Sequence, residues 1–237
     1  MSPRQVLKSA GRGLAVGAGL AAIGYAGLVV YNRARYGQAP RGRTVGDESP
    51  ILDGFIPAPE VVEHHRIRIG APAETVLSVA KEMELLNSAM IRAIFRAREI
   101  AVGGRSDTRP HPKALLRQME SIGGVVLAER AGREIVMGAV TKPWESDTSF
   151  RSIPAGEFAA FREPGYVKIV WNLRADPIDA RASMFHTETR VSTTDVQARE
   201  QFQCYWSFVA PGVGQIRLAM LRPLKRAAER RADAAAA

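Results

Sequence analysis

From Gly13 to Asn32 the chain runs for 20 residues without a charged side chain, between flanks rich in Arg and Lys. At about 1.5 Å per residue, a helix of that length is about 30 Å long, the thickness of a bilayer's hydrocarbon core. The segment therefore reads as a single transmembrane helix. Leu14, Val16, Leu20, Ile23, Leu28, Val29 and Val30 favour insertion, and ten Gly and Ala residues dilute it. Two other readings stand beside this one, a cleaved signal peptide and a buried helix of a soluble protein. Arg4, Lys8 and Arg12 suit the first, but the apolar run exceeds the roughly 7 to 15 residues usual there and ends in Tyr31-Asn32-Arg33, not at a small-x-small site. The spacing of Gly13 and Gly17 offers a small-residue face for self-association. Arg33, Arg35, Arg41 and Arg43 after the run nearly balance the three basic residues before it, so charge does not orient the span.

The formal net charge of +9 is unevenly spread. Seven basic residues flank the apolar run and six lie in residues 217–237, so residues 44–216 carry 20 basic against 22 acidic side chains, a net of −2. A nucleic-acid binder concentrates Lys and Arg on its binding face, because phosphate neutralisation supplies most of the affinity; the body of this chain does not. The basic residues at 33–43 would instead sit near lipid headgroups. The single cysteine, Cys204, excludes an internal disulfide and reads as a small buried apolar residue.

The pattern divides the chain into a basic tail (1–12), the span (13–32), a basic Pro/Gly-rich linker (33–59), one folded domain (60–231) and a disordered Ala-rich tail (232–237). Within the domain, Ile67 and Ile69 alternate with Arg66 and Arg68 on a strand over Val61–Ile69. Pro72 opens a helix to Ala80, and a second helix covers Met83–Arg98. A loop at 103–112 and a short helix to Ser121 lead to a hairpin around Ala131-Gly132. Val167–Arg174 is a strand, Asp176 to Asp179 a turn, and Ser183–Ser192 another strand. Thr194-Asp195-Val196-Gln197 fits a capping box opening a helix that breaks at Pro211-Gly212 and resumes over Val213–Arg231. The order specifies an α+β fold, a curved antiparallel sheet gripping a long C-terminal helix with a cavity between the layers.

The residues Thr187-Glu188-Thr189-Arg190-Val191, Thr194-Asp195, Phe202-Gln203-Cys204-Tyr205-Trp206 and Ile216-Arg217-Leu218 with Leu221 resemble the C-terminal half of a bacterial branch of the START-like (SRPBCC, polyketide-cyclase-like) superfamily. The resemblance extends upstream through Gly138 to Trp144, Phe158-Ala159-Ala160-Phe161, Pro164-Gly165-Tyr166 and Trp171, and covers about residues 60–230. It implies the helix-grip fold with a hydrophobic ligand cavity, placed by the span at a bacterial cytoplasmic membrane. It does not imply one activity, because this superfamily holds lipid carriers, receptors and enzymes.

Chemistry is sparse. His64 and His65 are neighbours on a strand, point to opposite faces and cannot share a metal; no His, Cys or carboxylate pair has a metal spacing, and no nucleotide loop or nucleophile elbow exists, so no metal or cofactor is expected. His186, Glu188 and Arg190 alternate on one strand and share a face. Turned into the cavity, they would supply a base, an acid and a cation. The favoured reading turns Phe185, Thr187, Thr189 and Val191 inward and leaves the charged trio on a solvated face. Trp144, Trp171, Phe202, Tyr205 and Trp206 are the candidate pocket aromatics. The leading expectation is membrane-anchored binding of a hydrophobic small molecule or lipid. Its rivals are a cyclase or dehydratase in the same cavity and a non-catalytic protein whose basic C-terminal helix docks an acidic partner.

Overall fold

A computed structural model describes residues 23–38, 49–83, 96, 103, 114–121, 123–146, 148 and 150–236. Residues 23–35 are helical (α1), followed by α2 (Pro50–Phe55), β1 (Val61–Ile69), α3 (Ala73–Glu82), α4 (Leu115–Ser121), β2 (Val125–Arg130), β3 (Glu134–Thr141), β4 (Phe150–Arg151), α5 (Ala155–Phe158), β5 (Val167–Asp179), β6 (Ala182–Thr193) and α6 (Val196–Ala236). The first half of the expected span and nearly all of the expected second helix and its following loop lie outside the described residues. Among the described residues no helix is long and apolar enough to cross a membrane.

The strands form one antiparallel sheet in the order β1-β6-β5-β3-β2, with β4 on β3. Alternation along the strands, interrupted by register shifts in β2 and β5, gives the sheet two apolar faces. On the inner face Ile69, Ile135, Leu173, Ala175 and Phe185 pack against Val76, Leu77 and Ala80 of α3 and Leu221, Leu224 and Ala228 of α6. On the outer face Val136, Val140 and Val170 pack against Leu52 and Ile56, from α2 and its cap, and against Phe158 of α5. Gly138 permits the second contact: a Cβ there would lie 2.9 Å from Phe158 Cε2, too close for any side chain. The result is an α+β fold whose antiparallel sheet carries a long C-terminal helix.

Several sequence expectations are corrected. Within the linker expected over 33–59 lies α2, whose Leu52 is completely buried, so residues 50–56 belong to the folded domain. β5 continues through Asp179, because a register shift between Pro177 and Asp179 lets the ladder pass the proline. Asp195, not Thr194, caps α6: its Oδ1 accepts the Ala198 amide at 2.8 Å. Thr194 Oγ1 accepts the Tyr166 amide at 3.0 Å instead. α6 does not break at Pro211-Gly212; it runs unbroken through Pro211 and Pro223. Each proline costs a helical hydrogen bond, about 3 kcal/mol, but both halves of α6 are packed on the same sheet, which offsets the loss. The helix also takes in the expected disordered tail as far as Ala236, since Ala is the best helix former. Cys204 is exposed, not buried.

Lys168 is only 3 % exposed on the outer face, beneath Phe158 and donating to the Ala159 carbonyl at 2.9 Å. Burial, helped by Arg162, brings its pKa down from 10.5 to about 8. Between those values the unfolded chain binds the proton and the folded chain does not, so Lys168 makes stability rise with pH across that window and adds nothing below it. Urea midpoints at pH 7.5 and 10 should show the parent gaining stability relative to Lys168→Met, on the order of 2 to 3 kcal/mol; equal pH responses would show that Lys168 keeps its proton.

Candidate functional site

β6 supplies side chains to both faces, and nearly all of its side chains are buried. Facing α6 are Phe185, Thr187, Thr189 and Val191; on the other side are His186, Glu188 and Arg190. The facing expected from the alternation holds, but the charged trio is not solvated. His186, Glu188 and Arg190 are 5 %, 1 % and 1 % exposed, because α2 and the residues around it cover that face.

The trio is held by an ionic network. Arg190 Nε donates to Glu188 Oε1 at 2.6 Å, and Arg190 Nη1 pairs with Asp53 of α2 and donates to the Ile56 carbonyl at 3.2 Å. Burial pulls the Arg190 pKa down, but the Glu188 and Asp53 carboxylates more than offset this and leave it above the ordinary value. His186 Nδ1 lies 3.3 Å from His64 Nε2, the rings stack at 5.5 Å, and His186 Nε2 is 3.5 Å from Asp176. Alongside, Glu134 Oε1 accepts Asn172 Nδ2 at 2.6 Å and Ser49 Oγ at 2.7 Å. Asn172 Oδ1 accepts the Glu188 backbone amide at 2.7 Å, at the point where the β5–β6 ladder lapses between Trp171↔Thr189 and Arg174↔His186. These groups lie on the sheet face opposite α6, so they cannot act on a molecule held between helix and sheet.

The inner face has a polar waist of its own. Arg217 of α6 points at the sheet, donating through Nη1 to Thr187 Oγ1 at 3.0 Å and through Nη2 to Thr189 Oγ1. Burial pushes its pKa below the ordinary arginine value, and Glu63 on β1 partly counters this. His65, on the same face of β1, has its Nε2 3.7 Å from Glu63 Oε2. Among the described residues no carboxylate comes within ion-pair distance of Arg217. Beside it a cavity of about 10 Å³ is lined by Met83, Leu115, Leu173, Phe185, Met220 and Leu224 among others. That is about the room one water molecule needs.

The candidate aromatics do not line this cavity. Phe202 is buried with Val61, Val167 and Val191, and Trp144, Ile169, Tyr205, Trp206 and Tyr36 pack around that group. Trp206 stacks on Phe202 at 5.8 Å, and Tyr36 meets it edge-on at 6.1 Å. Four of the five therefore form a second core at the start of α6. Trp171 pairs with Thr189 in the ladder and stands between this core and the cavity. Sequence reasoning missed Arg217, Thr187, Thr189, Glu63 and His65 as a group. The available signal was Arg217 itself, a lone charge on the helical stripe of Ala210, Leu221, Leu224 and Ala228.

Arg190→Met should destabilise the domain by about 3 to 5 kcal/mol by leaving Glu188 buried without its cation, and Arg190→Met with Glu188→Gln should cost less than the single change. A urea double-mutant cycle checks this, and additive losses would show that the two groups do not share one network. Phe202→Ala should cost about 3 to 5 kcal/mol, the penalty of a packed core aromatic; a loss under 1 kcal/mol in the same titration would mark the cluster as loosely packed.

No protein-family model matches the chain, and no curated protein matches it. Among solved structures it is similar to the Zhui aromatase/cyclase from Streptomyces sp. R1128, at 12 % identity and a TM-score of 0.26, over 72 % of this chain and 94 % of that one; a likeness of that size carries no inference about activity.

Proposed function

We propose that the chain is a membrane-anchored domain that binds a hydrophobic small molecule or lipid between the sheet and α6. Arg217 carries the proposal. A cation at a helix–sheet interface normally has a carboxylate partner, since desolvation is costly; here two threonine hydroxyls hold the guanidinium beside an apolar cavity. An amphipathic ligand with an anionic end would complete that charge while its apolar part displaced the Met83 and Met220 side chains, which are flexible enough to make way. The small volume of the cavity means that α6 moves off the sheet when the ligand enters. The 13–32 segment supplies the anchor and the flanking arginines its headgroup contacts.

A cyclase or dehydratase acting in the same space is the second reading, favoured by the His65–Glu63 pair on the inner face. His186, Glu188 and Arg190 have no part in it.

Mass spectrometry of molecules retained by protein purified from membranes tests the first reading directly. A long-chain carboxylate should bind more tightly than the corresponding alcohol, and Arg217→Gln should weaken the carboxylate on the order of tenfold, about 1.4 kcal/mol, while leaving the alcohol unchanged. Equal binding of both by parent and variant would remove Arg217 from the site.

A further inference from the structure

Among the described residues β1 is the last strand of the sheet on its side, and α6 lies over it, with Phe202 packed on Val61 at one end and Lys225 Nζ donating to the Arg68 carbonyl at 3.1 Å at the other. Between those ends the inner face of β1 presents Glu63 and His65. The register puts Glu63 opposite Thr189 and His65 opposite Thr187, the two threonines whose hydroxyls hold Arg217. Cβ atoms of such cross-strand pairs are about 5 Å apart, so the carboxylate and the imidazole stand one side chain away from the guanidinium. The apolar cavity takes no lining from β1 and lies on the β5 side of Arg217, whereas Glu63 and His65 flank it on the other. The side chains of His65 and Glu63 are 18 % and 30 % exposed, so this flank is reached from solvent between β1 and α6.

His65 Nε2 is buried and makes no hydrogen bond among the described residues. A buried ring nitrogen in that condition calls for a partner, because it has given up water without a return. Glu63 Oε2 lies 3.7 Å from it, beyond hydrogen-bond length, yet a single oxygen between the two reaches both at about 2.8 Å. With the ring proton on Nε2, such an oxygen must accept from the imidazole and donate to the carboxylate. An alcohol hydroxyl does both. A carboxylate or carbonyl oxygen only accepts and would turn a lone pair toward Glu63, and an ammonium group only donates.

We propose that Glu63 and His65 recognise one hydroxyl next to the anionic end of the ligand, so that the ligand class is a chain acid hydroxylated near its carboxylate. The inference rests on reading Arg217 as the contact for that carboxylate. The three groups divide the recognition between them: Arg217 takes the charge, His65 and Glu63 take the hydroxyl, and the apolar chain continues past Arg217 toward Leu173 and Phe185. Glu63 also works against acids that lack the hydroxyl, since its own charge then faces the ligand with nothing to accept from.

Calorimetric titration of the full chain in lipid nanodiscs with decanoate, β-hydroxydecanoate and ω-hydroxydecanoate tests this. The parent should bind β-hydroxydecanoate on the order of tenfold more tightly than the other two, the return of hydrogen bonds that include a charged partner. His65→Leu should erase that preference and leave decanoate binding unchanged, and His65→Gln, which keeps an N–H donor, should restore part of it. Arg217→Gln should weaken all three acids alike. Equal binding of decanoate and β-hydroxydecanoate by the parent, with Arg217→Gln still weakening both, would overturn the hydroxyl contact and leave the Arg217 reading standing; this comparison needs no variant at position 65. Equal gains from the β- and ω-hydroxyl groups would overturn it too, since the hydroxyl would then act without a fixed position. A parent that binds none of the three, or an Arg217→Gln variant that binds them as the parent does, would remove both readings.

Discussion

β6 is buried on both faces, and the rest of the domain is arranged around that fact. A central strand with charged and hydroxyl side chains on alternate sides cannot leave them unpartnered, because an unsatisfied buried polar group costs more than most contacts return. The two sets of partners come from opposite ends of the sequence. Asp53 and the Ile56 carbonyl reach Arg190 from residues before β1, and Arg217 reaches Thr187 and Thr189 from the last helix. α2 and α6 are thus the two covers of one strand, and each brings the polar group that its face of β6 requires.

This division separates two chemistries that the alternating pattern left undistinguished. The carboxylate, guanidinium and imidazole groups of β6 look like a catalytic set when read along the strand. In the folded chain they are turned away from the cavity and spent on one another and on α2. The space between sheet and helix holds fewer polar groups, from three separate elements, around a cation whose hydrogen bonds go to two threonine hydroxyls, with the Glu63 carboxylate acting on it only from a distance. A neutral hydroxyl pair positions a guanidinium without neutralising it, and so leaves its charge available to a bound molecule.

How much of this was legible follows from the range of each signal. Period-2 alternation identified β1 and β6 and the correct facing of His186, Glu188 and Arg190, because alternation is local and survives any tertiary context. The hairpin at Ala131-Gly132 was legible for the same reason, with Gly132 at φ +67°. Burial of the trio was not legible. It depends on Asp53, 137 residues from Arg190, in a six-residue helix too short to show a period and set among prolines. The aromatic stripe of Phe202 and Trp206 gave the right face of α6 but the wrong neighbour, since spacing cannot tell a core from a pocket wall. The proline break failed because a local cost was weighed without the two packed halves on either side.

Those prolines have a consequence for motion. Lacking amide hydrogens, Pro211 and Pro223 leave the carbonyls of Ser207 and Ala219 without their usual helical donors, so the hydrogen-bond ladder of α6 is thinnest at two places. Between them lie Gly212, Gly214, Arg217 and Met220, the part of the helix nearest the cavity. A segment bounded by weakened turns can open as a unit at lower free energy than its neighbours. In amide exchange, residues 212–222 would form a separate, faster opening unit between two protected ends, one tied to the sheet by Phe202 and the other by Leu224 and Ala228. α6 is then less a rigid brace than a bar with a hinged middle section, and that section lies over the only polar contact between helix and strand described for β6.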